Sequence, residues 1–204
     1  MAGGERLGVK MQASSRGGLA VKILTRMCTS LDGRVTTADG LPVQLAFPGW
    51  DAGALGFYQI QARCDAVLMG RTTFEPALAA PVWPWGDLAV YVLGSRLPAG
   101  APDRVVVDDD PVRLLERLRV DNKGGDVHLV GGPKTIETYR ALGALDEFRL
   151  MVLPIFVGKG RQFTPDLSTY IALTLIETRA WPNSVVEVVY QLTPGESTDN
   201  MRSA

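Results

Sequence analysis

Two stretches of the chain place the same residue types in the same order. Residues 65–69 form an apolar run that ends at Gly70 and is followed by Arg71, Thr72 and Thr73. Residues 126–130 form a second run, ending at Gly131 and Gly132 and followed by Pro133, Lys134 and Thr135. Each has strand length, then glycine, a basic residue and threonine, then a helical pattern. Glycine lets backbone approach a ligand closely. A helix start presents unpaired N–H groups to an anion. Two such turns point to a phosphate-bearing cofactor lying across the ends of two neighbouring strands, and so to a nucleotide-dependent enzyme.

Other chemistries are poorly served. The chain has one histidine, His128, in mid-strand, where a structural role is the expectation. A Ser-His-Asp or Cys-His arrangement is therefore improbable. Cys28 and Cys64 belong to no CxxC pair, form no metal set with His128 and read as buried thiols. There is no GxxxxGK[ST] and no GxSxG. Residues 158–163 approach a dinucleotide fingerprint, but no helix pattern follows them. Lacking nucleophile and metal, the chain suits chemistry supplied by a cofactor, such as hydride transfer. The net charge of −1 gives no electrostatic case for nucleic acid or an anionic membrane. The first 18 residues have no apolar stretch of signal-peptide type, and no run approaches membrane-spanning length. A cytoplasmic protein is expected.

The elements that position these turns follow from periodicity. Strands are expected over residues 19–29, 65–69, 88–93, 104–107 and 126–130, and over 147–156, 172–180 and 184–192. Helices are expected from Asp51, as N-cap, to about Arg63, over 72–78, from Pro111 to about Arg119, and over 133–142 with Gly143 as C-cap. Pro76 fits only the first turn of its helix. Residues 181–184 read as a hairpin turn. Alternating strands and helices come first, and antiparallel strands follow. That predicts an α/β fold with a mixed, mainly parallel central sheet, helices on both faces and an antiparallel C-terminal edge. With 204 residues, one domain over 19–193 is expected, flanked by flexible tails at 1–18 and 194–204. Ligands bind beyond the carboxyl ends of strands in such sheets. Four strand ends carry glycine or a flexible loop: Ser30 to Gly33, Gly70 to Thr73, Gly94 to Arg96, and Gly131 to Thr135.

Taken in order, residues 30–34 (SLDGR), 66–75 (AVLMGRTTFE), 128–139 (HLVGGPKTIETY) and 153–163 (LPIFVGKGRQF) resemble the reductase family of the RibD C-terminal domain, with its dihydrofolate reductase-like fold. The resemblance covers residues 19–192. It implies an NADPH-binding reductase of a small heterocyclic substrate, pterin-, pyrimidine- or riboflavin-pathway-like, or of another unsaturated substrate. It implies too a homodimer. On that resemblance Ser30, Asp32 and Gly33 lie over the nicotinamide. Gly70, Arg71, Thr72 and Thr73 contact cofactor phosphates. Gly94, Ser95 and Arg96 meet the ribose 2′-phosphate, and Gly131, Gly132, Pro133, Lys134 and Thr135 approach the pyrophosphate.

The substrate side is thinner. Family reductases usually carry lysine four residues before Ser-Leu-Asp-Gly, and here that position is Arg26. Trp50-Asp51 resembles the tryptophan–carboxylate pair of dihydrofolate reductases, which makes Asp51 a candidate catalytic acid, although it serves equally as a helix cap. Trp50 and Trp85 are candidates for substrate contact, and Trp85, like Trp83, equally suits a loop packed on the core. A catalytically silent nucleotide-binding or dimeric structural protein of the same fold is the alternative.

Overall fold

The computed structural model describes residues 21–168 and 170–197. In chain order the elements are β1 (Ile23–Ser30), α1 (Phe57–Gln61), β2 (Cys64–Gly70), α2 (Arg71–Leu78), β3 (Ala89–Leu93), β4 (Val105–Asp108), α3 (Pro111–Asp121), β5 (Asp126–Gly131), α4 (Pro133–Ala141), β6 (Glu147–Leu153), β7 (Ile171–Ala180) and β8 (Val186–Ser197). The strands form one eight-stranded sheet, ordered β4-β3-β2-β5-β1-β6-β8-β7. From β4 to β6 all neighbours are parallel, and β8 and β7 add an antiparallel edge.

The near-continuous apolar runs of the central strands follow from burial on both faces. On one face Ile23, Met27, Leu68, Tyr91, Val127 and Leu129 pack under α3 (Leu114, Leu118) and α4 (Ile136, Tyr139). On the other, Val67, Met69, Val90 and Val92 pack against Phe74 of α2. Further along that face Cys28, Met151 and Leu153 meet Val43, Phe47 and Leu55 from the segment between β1 and α1. Both cysteines are buried free thiols, and burial pushes Cys28 up to about 12 and Cys64 to about 11.

Three boundaries differ from expectation for local reasons. The helix expected from Asp51 begins only at Phe57, because Gly56 is left-handed (φ 72°) and residues 51–56 form successive turns. Pro76 is the sixth residue of α2 rather than in its first turn. It forfeits the one amide bond that residue 76 would make to the Thr72 carbonyl, and the helix ends two residues later. β8 continues through Pro194 to Ser197, four residues into the expected tail. Its pairing with β6 stops at Gln191, and beyond that point it has β7 alone as neighbour. A proline is tolerated at such an edge, where the missing N–H breaks no ladder. The expected N-terminal tail and residues 198–204 lie outside the described residues. No helix among the described residues is long and apolar enough to cross a membrane.

Candidate functional site

β3, β2, β5 and β1 are consecutive in the sheet, so the four glycine-bearing strand ends stand side by side. The turns interlock. A Cβ on Gly94 would lie 3.3 Å from the Arg71 Cβ, one on Gly70 2.4 Å from the Thr135 Oγ1, and one on Gly132 3.6 Å from the Thr73 Oγ1. The peptide between Gly131 and Gly132 is cis. α2 and α4 start at Gly70 and Gly132 with no side-chain cap. In contrast, the Asp110 carboxylate caps α3, accepting from the Val112 and Arg113 amides at 2.8 and 3.2 Å. The uncapped starts keep first-turn N–H groups for an anion.

A cleft of about 430 Å³ lies over these starts, lined by Thr72, Gly132, Pro133, Lys134 and Thr135 with Arg161, Gln162, Thr164 and Pro165. Lys134 thus borders the cleft, a point on which the sequence is silent. Arg71 faces partly elsewhere, with its guanidinium 3.0 Å from Glu75 one turn on. Arg161, Gln162 and Thr164 were not among the expected site residues. The motif at 153–163 was the signal for Arg161 and Gln162, with Thr164 just beyond it, but no local feature says where that loop folds.

The loop folds there because it zips onto the loop after β1. Leu31 donates to the Ile155 carbonyl (2.8 Å), Val35 to Arg161 (2.8 Å) and Phe163 to Gly33 (3.2 Å). Asp32 bridges the two loops, its carboxylate accepting from the Val157 and Gly158 amides at 3.1 and 2.8 Å. The Ser30 hydroxyl donates to Asp32 at 2.7 Å and accepts from the Arg34 amide at 2.9 Å. The polar groups of Ser30 and Asp32 are therefore engaged in building the loop. Gly33 turns it with φ 75°.

The Ser30 hydroxyl and the loop amides hold the Asp32 carboxyl down at about 2. A depressed folded-state value stabilises the loop fully above the ordinary 3.8 and loses that contribution as pH falls toward about 2. Amide protection in residues 155–163, taken relative to the intrinsic exchange rate at each pH, should therefore fall in acid, and Asp32→Ala should abolish that acid dependence. Protection that does not change with acid in the wild type would contradict this role.

Gly160 is the second fixed point. It has φ +142°, and a Cβ there would fall 1.8 Å from the Thr36 carbonyl oxygen. Gly160→Ala must displace one loop from the other. The expected outcome is at least about a tenfold loss of dinucleotide affinity, about 1.4 kcal/mol, with a smaller change in melting temperature. Unaltered affinity would remove this loop from the site.

The four candidates for substrate contact and catalysis lie away from the cleft. Arg26 is 4% exposed. Its Nε donates to Glu187 at 2.7 Å and its Nη2 to the Leu55 carbonyl at 2.7 Å, and it lies 4.3 Å over the Phe57 ring. Its lysine-like sequence position thus supplies a core ion pair, not a group open to substrate. Trp50 packs edge-on against Phe57 at 5.0 Å and belongs to the same cluster. Trp85, with Trp83, packs the loop over Val67, Val90 and Phe74. Asp51 is exposed and caps its own turn, accepting from the Ala54 amide at 2.9 Å. Of its two readings the structure displays the cap, but of a turn and not of α1. His128 is buried, and desolvation lowers it to about 4, so the imidazole is neutral.

A second pocket of about 530 Å³ opens beyond β3 and β4, where Ser95 and Arg96 meet Asp108, Asp109 and Arg113. Its acidic side was also not anticipated. The Gly94 amide, donating to the Asp108 carbonyl at 2.9 Å, ties the two strand ends together.

The sheet thus sets interlocked glycine turns and two bare helix starts side by side at its strand ends, the place where open α/β sheets take ligands. The model of the RibD C-terminal domain matches residues 21–186, and the chain belongs to that family. It is similar to YwjB of Bacillus subtilis, 28% identical over 167 residues, covering 80% of this chain and 94% of that protein. It is 29% identical over 148 residues to the riboflavin biosynthesis protein RibD of Mycobacterium tuberculosis, spanning 65% of this chain but 42% of that protein. Among solved structures, a protein from Shewanella sp. PV-4 superposes with TM-score 0.71 at 24% identity, covering 85% of this chain and 99% of the other. The Thermotoga maritima diaminohydroxyphosphoribosylaminopyrimidine deaminase/5-amino-6-(5-phosphoribosylamino)uracil reductase superposes with TM-score 0.63 at 16% identity, covering 85% of this chain and 57% of that one. The sheet is that of the dihydrofolate reductase-like fold, as the motifs implied.

Proposed function

We propose that this protein is an NADPH-dependent reductase of a small heterocyclic or other unsaturated substrate. The observation that carries the proposal is the packing of the Gly70, Gly94 and Gly132 turns against one another at adjacent strand ends, with two uncapped helix starts and the cleft over Gly132 and Lys134 beside them. A bound nicotinamide would supply the hydride. The α2 and α4 starts, with Arg71, Lys134 and Arg161, are suited to hold the pyrophosphate. Gly131 and Gly132 let the cofactor lie close against the sheet. The zipped loops beside them would exclude water from the reacting face. The family match and the naming of a uracil reductase among fold neighbours support a pyrimidine-like ring as substrate.

The test is oxidation of NADPH followed by absorbance with a panel of pterins, aminopyrimidines and related unsaturated compounds. Turnover with one member is the expected result. NADPH affinity without turnover on any of them would favour the second reading, a silent binding module. That reading draws on the engagement of Asp32 in its loop and of Asp51 in its turn. The proposal also takes the protein as a cytoplasmic homodimer joined at β7, the edge strand, which presents Leu173, Leu175 and Ile176 to solvent. Light scattering that gives a monomer mass would remove the dimer.

A further inference from the structure

The pocket beyond β3 and β4 carries a charge pattern that a 2′-phosphate site does not need. Two arginines and two aspartates line it. The Arg113 guanidinium is already committed. Its Nε and Nη2 donate to Asp108 at 3.1 and 2.6 Å, its Nη2 also to Asp109 at 3.2 Å, and its Nη1 to Asp110 at 3.1 Å. The same contact holds the Asp108 carboxyl below the usual carboxylate range, so it stays ionised. Arg96 is exposed and forms no ion pair among the described residues. Asp109 keeps 68% of its side chain exposed and meets Arg113 at the longest of these distances.

A phosphate monoester brings close to two negative charges at neutral pH. In this pocket Arg96 would attract it while Asp109 repels it, and Arg113 could not turn its fork toward it without leaving Asp108. A free ribose 2′-hydroxyl meets the opposite situation. It can donate to a carboxylate, the usual device of NAD sites, and accept from Ser95 or Arg96. We infer that this pocket is an adenosine-ribose subsite of nearly cancelling charge, so that the protein takes NADH about as well as NADPH. The inference rests on the reductase reading, widens its cofactor from NADPH to both dinucleotides, and assigns the balance to Arg96 set against Asp109.

The test is calorimetric titration of the full chain with NADPH and with NADH, repeated for Asp109→Asn and Arg96→Ala. Wild-type dissociation constants should agree within about tenfold. Asp109→Asn should move the ratio toward NADPH by about fivefold, the size of one exposed charge interaction, and Arg96→Ala should move it toward NADH by a similar factor. A wild-type preference above about tenfold for NADPH, or an unmoved ratio in Asp109→Asn, overturns the inference and leaves the reductase reading standing. Failure of both dinucleotides to bind overturns both. Binding is read directly here, so neither arm depends on knowing the substrate. Melting curves of the two variants, both altered at exposed positions, establish that they are folded.

Discussion

Replacing Glu187 by alanine is expected to cost about 3–5 kcal/mol of folding stability. Glu187 is fully buried on β8. One carboxylate oxygen accepts from Arg26 Nε at 2.7 Å and the other from Trp181 Nε1 at 2.9 Å. Arg149 lies 3.9 Å away and also contacts Glu147, which in turn pairs with Lys22 at 2.6 Å. The chain thus buries a string of charges along β1, β6 and β8, joining residues 161 positions apart in sequence. Removing the carboxylate leaves the Arg26 charge buried with only the Leu55 carbonyl and the Phe57 and Trp181 rings around it. Such an uncompensated ion costs far more than the pair itself contributes. Urea unfolding of Glu187→Ala measures the loss. The double change Arg26→Met with Glu187→Leu should recover much of it, because apolar replacement of a whole buried pair is often neutral. A loss below about 1 kcal/mol in the single variant, typical of an exposed pair, would mean that the network is solvated.

Gly132→Val should abolish dinucleotide binding within the measurable range, a loss of at least about a hundredfold, or roughly 2.7 kcal/mol. Gly132 lines the cleft, and a Cβ there meets nothing closer than the Thr73 Oγ1 at 3.6 Å. Protein neighbours therefore leave room for the first carbon, and the added bulk would occupy the space that the proposed function gives to the cofactor. Near-wild-type circular dichroism together with lost affinity is the expected pair of results. Unchanged affinity in the folded variant would place the ligand elsewhere.

The glycine turns at the strand ends were legible in the sequence because their signals are local. A strand-length run, a glycine and a helix start are contiguous, and Asp110-Pro111 and Gly143 mark caps within a few residues of the helices they bound. The mixed sheet followed from the switch between helix-linked and directly linked strands. The surroundings of Arg26, Trp85 and Arg161 were not legible, because they turn on contacts between distant segments. Arg26 reads as a site residue until Glu187 is brought beside it. Trp85 reads equally as pocket or core until the loop over β2 and β3 is placed. Arg161 enters the cleft only through backbone pairing with Val35 across the sheet end. The acidic wall of the second pocket lay in view at Asp108 and Asp109, yet its neighbours Ser95 and Arg96 come from the loop after another strand, β3.

Hydrogen exchange with and without NADPH gives the most direct check on where the cofactor lies. Slower exchange is expected in residues 70–73, 94–96 and 131–135 and in the loop at 157–164, with little change in the buried centre of the sheet. Protection confined to α4, β6 and β7 where Ile136, Phe148 and Leu173 line a pocket, or no protection at saturating NADPH, would contradict the strand-end site.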